Sequence, residues 1–210
     1  MTTAHPPRSR PVLWSLCLCA SAGLAAATPE SSNEALPPGY SMAVTGDMHD
    51  FDYFEGAWTL KQRRLKTRGA GSSEWEEFPG ALCMSLYLDG LATVDELYMP
   101  TKKSSGLTVR VFDPRTRQWS IYWASSTTGR LDPVPVAGGF KGDHGEFYAV
   151  DEDNHRPIKV RFLWDKFDHN HARWQQAFSF DNRTWETNWT ADFSRADPST
   201  MCEHGRPKHP

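Results

Sequence analysis

The sequence predicts an all-β protein, an antiparallel barrel or sandwich of roughly ten strands preceded by one short helix. Three observations carry that prediction. From Gly56 to Arg195 apolar and polar residues alternate with a period of two, and no long amphipathic helix interrupts them. Clusters of Gly, Pro, Asn, Asp and Ser punctuate the alternation at short intervals, the pattern of an all-β sandwich or barrel. The stretch 172–195 reads as a hairpin with Asp181-Asn182-Arg183 at its turn. Trp174, Gln176 and Phe178 share a face of one arm; Trp185, Thr187, Trp189, Ala191 and Phe193 share a face of the other.

Taken in order, the chain opens with Arg8 and Arg10, an apolar run over 12–22, and Ala25-Ala26-Ala27. A basic start, a short apolar core and an A-x-A site predict a secretory signal peptide over 1–27. Residues 28–47 carry Pro, Ser and Gly with little periodicity and predict a flexible or loosely draped linker. Phe51 and Phe54 stand at helical spacing between Asp47 and Gly56, which predicts a turn or two of helix over 48–55. Strands are expected over 58–65, 75–88 (bent where Pro79-Gly80 interrupts), 92–99, 107–112 and 119–124. Five more follow a long loop over 125–135: 136–141, 146–150, 158–164, and the closing hairpin counted by its two arms. The expected barrel domain is therefore 48–195, with 196–210 as a disordered tail.

Charge and cysteine usage narrow the partners. Removing residues 1–27 takes away two arginines and no carboxylate, so the formal net charge of −3 becomes −5. A mildly acidic chain lacks the basic footprint of a nucleic-acid binder, so no nucleic acid is expected. No basic block points to a membrane surface, and the run over 12–22 is too short to span a bilayer once folded. The protein is expected to be exported, to the periplasm or the outside. Cys83 and Cys202 remain after the leader. In an oxidising compartment they either form one disulfide, stapling the tail to the barrel, or stay apart as a buried thiol and an exposed one.

Gly56-Ala57-Trp58, at the mouth of the first strand, resembles the G-x-W signature of lipocalin-type calycins. The wider set is DFDYFEGAW, GLATVDE, FDPRTRQWSIYW, the Leu131-Asp132-Pro133 loop and ARWQQAFSFD with TWETNW. Spanning Asp50 to Arg195, it is similar to the DUF1579-like family of bacterial proteins of unknown function. The resemblance implies a calycin-like antiparallel β-barrel in which Trp58 plugs the closed end and Arg195 packs over it, and it implies no particular chemistry. The glycine expected after Asp181 is absent, which puts the geometry of that turn in question but not the fold.

Known catalytic signatures are missing: no G-x-S-x-G elbow, no H-E-x-x-H, no phosphate-cradling or dinucleotide loop. His169 and His171 flank Asn170 in a turn, and two imidazoles alone do not complete a metal sphere. No histidine falls on an apolar strand face, so neither haem nor any other cofactor or metal is expected. What stands out are polar residues on otherwise apolar faces. Gln62 and Arg64 continue the Trp58–Leu60 face, Glu96 lies between Val94 and Tyr98, and Gln176 between Trp174 and Phe178. Either they form the polar end of a pocket, or Arg64 and Glu96 pair with each other, or the register places them toward water. Arg110, Arg161, Arg173 and Glu186 are expected on the opposite, exposed face; Glu186 and Asn188 turn inward if the closing strand is inverted.

Three functional readings follow. As a binding module, the barrel holds a small apolar or aromatic ligand on Trp123, Trp164, Trp174 and Trp189, oriented by Arg64, Glu96 and Gln176, with the 125–135 loop as lid. As an enzyme, it uses Glu96 as general acid or base beside Arg64. As a filled barrel, it offers only its outer surface to partners.

Overall fold

The computed structural model of the chain describes residues 35–208, so the expected signal peptide lies outside the described residues. From Gly56 onward the backbone runs up and down as β1 (Gly56–Leu65), β2 (Trp75–Tyr87), β3 (Ala92–Met99), β4 (Ser104–Asp113) and β5 (Gln118–Ser125). A two-residue strand, β6 (Arg130–Leu131), follows within the long loop. Then come β7 (Val136–Lys141), β8 (His144–Asp153), β9 (Arg156–Asp168), β10 (His171–Ser179) and β11 (Glu186–Ala196). Each long strand pairs antiparallel with its predecessor, and β11 returns to pair with β1. Ten strands thus close into a barrel, β6 being an appendage on β5. Closure matters physically because it leaves none of the ten strands with an unpaired edge.

One end of the barrel is solid. Between Asp47 and Gly56 the chain makes turns and one 3-10 turn (Asp52–Phe54), which inserts Phe51 and Phe54 into the interior. Phe51 meets Trp119 edge to face at 5.0 Å and Phe140 at 5.3 Å. Trp58 is wholly buried and donates from Nε1 to the Phe54 carbonyl at 2.9 Å. Arg195 stands directly opposite Trp58 in the β1–β11 register, its guanidinium carbon 4.1 Å above the indole centroid. The same guanidinium donates to the carbonyls of Tyr53 (2.7 Å), Glu55 (3.0 Å) and His169 (3.0 Å). It closes that end by satisfying carbonyls that the turns would otherwise leave unpaired.

The segments flanking the barrel are tied to it. Residues 35–50 form a strap: Gln118 Nε2 donates to the carbonyls of Met42 and Val44, and Trp185 Nε1 donates to that of Pro38. The strap lies against β7 backbone to backbone, since a Cβ on Gly139 would fall 2.4 Å from the Gly46 nitrogen. The tail expected to be disordered is instead structured as far as it is described. A short helix, α1 (Pro198–Met201), leads into a hairpin of β12 (Cys202–Glu203) and β13 (Arg206–Pro207). Cys83 and Cys202 form a disulfide with a Cα–Cα distance of 6.1 Å, and Pro207 is buried. The covalent tie and this small docked hairpin hold a segment whose composition alone suggests disorder. No helix among the described residues is long and apolar enough to cross a membrane.

Candidate functional site

The other end of the barrel is open inside. A cavity of about 540 Å³ lies beyond the aromatic plug, a size typical of small-molecule sites. Its aromatic wall is continuous. Trp174 packs edge to face on Trp189 at 5.4 Å and on Phe162 at 5.1 Å; Trp164 lies 6.4 Å from Trp174, and Trp123 lies 6.2 Å from Trp189. Trp123 can lie flat along β4 because Gly106 offers no side chain there. Loop residues Ser125, Thr128, Asp132, Pro133 and Val134 border the same cavity, so the expected lid stands at its rim. A side cavity of about 420 Å³ shares Arg64, Trp123, Ser125 and Trp189 with the main one.

Polar groups enter this wall in three places. On β1, Gln62 is buried and its Oε1 accepts from Trp189 Nε1 at 3.1 Å. An indole N–H only donates, so this bond fixes the amide orientation and leaves Gln62 Nε2 without a partner. Two residues on, the Arg64 guanidinium lies 4.6 Å over the face of the same Trp189. Burial, with the nearby charge of Arg68, pulls the Arg64 pKa below its ordinary value. On β10 and β11, Gln176 Nε2 donates to Asn188 Oδ1 at 2.8 Å. On β3 and β4, Arg110 donates to Asp95, both side chains sealed within the barrel, and to Thr93 Oγ1 at 3.3 Å. Asp95 Oδ1 and Arg110 Nε keep no partner. At the rim, burial and then the charge of Asp151 push the Asp132 carboxyl up.

Of the residues singled out from sequence, Arg64, Trp123, Trp164, Trp174, Gln176 and Trp189 all line this one cavity. Glu96 does not. On β3 it is Thr93, Asp95, Leu97 and Met99 that are buried inward, so the period of two turns Val94, Glu96 and Tyr98 outward. On β3 the carboxylate that faces the cavity is Asp95, and Glu96 does not line the cavity with Arg64. Arg110, expected on the exposed face, points inward as the partner of Asp95. The cause is the same on both strands: the inner wall here is polar, while Leu107 and Val111 take the outer face and are exposed. Hydrophobicity therefore selects the wrong side of β4. The clue available in the sequence was parity, since Gly106, Thr108 and Arg110 share a face with Phe112, which is buried.

The hairpin needs a second correction. Register shifts between Gln176 and Ala177, so that Gln176 faces Trp189 but Ala177 faces Thr187, and Asn188 is the extra residue. The bulge inverts the alternation below Trp189. Trp185 consequently lies outside, 4.5 Å from the Arg161 guanidinium and 6.4 Å from the Tyr148 ring. Asn188 is fully buried, and Glu186 reaches the Gly69 amide at 2.9 Å. Arg173 keeps the exposed cross-strand pairing expected of it, with Asp192 at 2.6 Å. Asn182 adopts a φ of +56°, a conformation asparagine tolerates, in place of the expected glycine. His169 sits in an exposed turn and His171, also exposed, opens β10, where its Nδ1 pairs with Asp168.

Searched against protein-family models and against curated proteins, the chain matches none. The class rests on geometry: a closed ten-stranded antiparallel β-barrel, plugged at one end, with an aromatic and partly polar cavity at the other.

Proposed function

We propose that the protein is an exported barrel that binds a small apolar or aromatic molecule in its interior. The observation that carries this reading is the cavity of about 540 Å³ walled by Trp123, Trp164, Trp174 and Trp189. Polar atoms left unpaired on the same wall, Gln62 Nε2 among them, add to it. Each unpaired buried polar atom costs about 1–3 kcal/mol, which a ligand supplying a partner recovers. Rigid aromatic walls contribute contact area at little entropic cost. The filled-barrel reading accounts only for the plugged end, and the Glu96–Arg64 enzyme reading loses its pair. Kinship with calycin-type barrels is part of the proposal and draws support from the Trp58–Arg195 stack. Export draws support from the leader-like start and from a disulfide, which persists in oxidising compartments.

The test is native mass spectrometry of the purified protein, followed by tryptophan-quenching titration with a small-molecule extract. The expected result is a saturable ligand lost in a folded Trp174→Ala, Gln176→Ala double variant. Absence of any co-purifying or quenching compound would overturn the reading. For export, the mass of protein recovered from its native host should place the mature start near Thr28; an intact Met1 on cytoplasmic protein would sink it.

A further inference from the structure

The cavity carries three arginines, and they are not equivalent. Arg68 pairs with Asp153 at 2.6 Å, and Arg110 pairs with Asp95. Arg64 makes no ion pair among the described residues. Its cross-strand neighbour on β2 is Glu76, the expected partner, but that carboxylate is taken by Lys102. Arg64 is left stacked on Trp189 at the junction of the main and side cavities. The unpaired hydrogen-bonding atoms on cavity residues are lopsided too. Gln62 Nε2, Trp164 Nε1 and Arg110 Nε are donors, against the single acceptor Asp95 Oδ1. A wall with surplus donors and one cation outside any ion pair, with only the more distant charges of Glu76 and Asp153 acting on it, is complementary to a head group rich in acceptor oxygens.

We propose that Arg64, with Gln62 beside it, is the head-group subsite for a carboxylate, and that the ligand is a carboxylic acid on a largely apolar ring or chain. This rests on the interior-pocket reading and deepens it. Trp189 organises the subsite, because its face positions the Arg64 guanidinium and its N–H turns the Gln62 amide so that NH₂ is left to donate. The planar guanidinium presents paired N–H groups that match two carboxylate oxygens, which an ammonium does not. The apolar body then lies along Trp174 and Phe162, away from the charged rim.

The test uses matched acids and amides on two scaffolds: 2-naphthoate with 2-naphthamide, and octanoate with octanamide. Affinities are read by calorimetry and tryptophan quenching on the disulfide-bonded protein. The wild type should prefer the acid of at least one pair by about tenfold or more, the scale of one charge-assisted hydrogen bond. Added salt should erode the preference. Arg64→Met should abolish it, the acid losing about tenfold more affinity than the matched amide, and Arg64→Lys should restore part of it. Equal affinity of the wild type for acid and amide overturns the head-group assignment while the pocket stands, and needs no variant to be folded. A preference that survives in Arg64→Met also overturns it. Binding of none of the four compounds counts against the pocket itself, and the assignment falls with it.

Discussion

Arg110 donates to Asp95 across adjacent strands, inside a barrel that excludes both side chains from solvent. Taking two charges out of water is costly, and their mutual attraction offsets that cost only while both are present. Removing one partner leaves a buried charge stranded. Asp95→Ala should therefore destabilise the protein by about 3–5 kcal/mol in urea unfolding. An Asp95→Leu, Arg110→Met double variant should recover most of that loss, since apolar groups of similar size need no partner. A single variant no more costly than the double one would mean that water reaches the pair.

At the plugged end, Trp58 and Arg195 are a structural unit that does not line the cavity, though Trp58 packs on Phe193, which does. Trp58→Ala should cost about 3–5 kcal/mol, as for other core aromatics, through lost packing. It also removes the ring on which Arg195 rests, loosening the contacts to Tyr53, Glu55 and His169. Ligand affinity of the folded fraction should be unchanged. A cost below about 1 kcal/mol, the level of ordinary surface changes, would show that the plug does not hold the barrel shut.

The contrast between these two pairs shows what the sequence makes legible. The plug could be read because Gly56-Ala57-Trp58 and Arg195 carry a resemblance and because strand alternation is unbroken on β1. The Arg110–Asp95 pair was legible only through the parity that Arg110 shares with Phe112, because both faces of β3 mix polar with apolar residues and the more apolar face of β4 turns outward. Burial of Thr93, Asp95, Thr108 and Arg110 is decided by neighbours across the barrel, Phe51 and Trp164 among them. Trp185 was misplaced for a different reason. A bulge shifts register by one residue, and nothing local to Asn188 announces it. The cavity's tryptophans were legible because each sits on a strand whose alternation stays regular as far as the ring.

The β10–β11 turn should make stability sensitive to acid. Asp181 accepts from the backbone amides of Arg183 and Thr184, both at 2.8 Å, and from the Thr184 hydroxyl at 2.9 Å. These bonds favour the charged carboxylate and lower its pKa from 3.8 to about 2. A depressed carboxylate pKa stabilises the fold above its unfolded value, and that contribution fades as pH falls from about 4 to about 2. Thermal melting across that window should drop more steeply in wild type than in Asp181→Ala, which is already without the turn's acceptor. Parallel curves would remove Asp181 from the acid response.

Gly106 offers the sharpest separation of binding from folding. It faces the interior of β4 where the Trp123 ring crosses the strand, and an added Cβ would lie 1.7 Å from Trp123 Cη2 and 2.0 Å from Cζ2. No real packing tolerates such distances, so in Gly106→Ala the indole must move. It borders both cavities, so the displaced ring changes the volume of one or both and its edge contact with Trp189. The strand itself accepts alanine, and the ring lies near the rim rather than in the solid end. The variant should therefore melt close to wild type, within the few tenths to about 1 kcal/mol of a mild repacking. Its tryptophan emission should shift, and its ligand affinity should fall by about tenfold, the effect of one displaced aromatic wall. Unchanged affinity with shifted emission would show that Trp123 borders the cavity without touching its occupant.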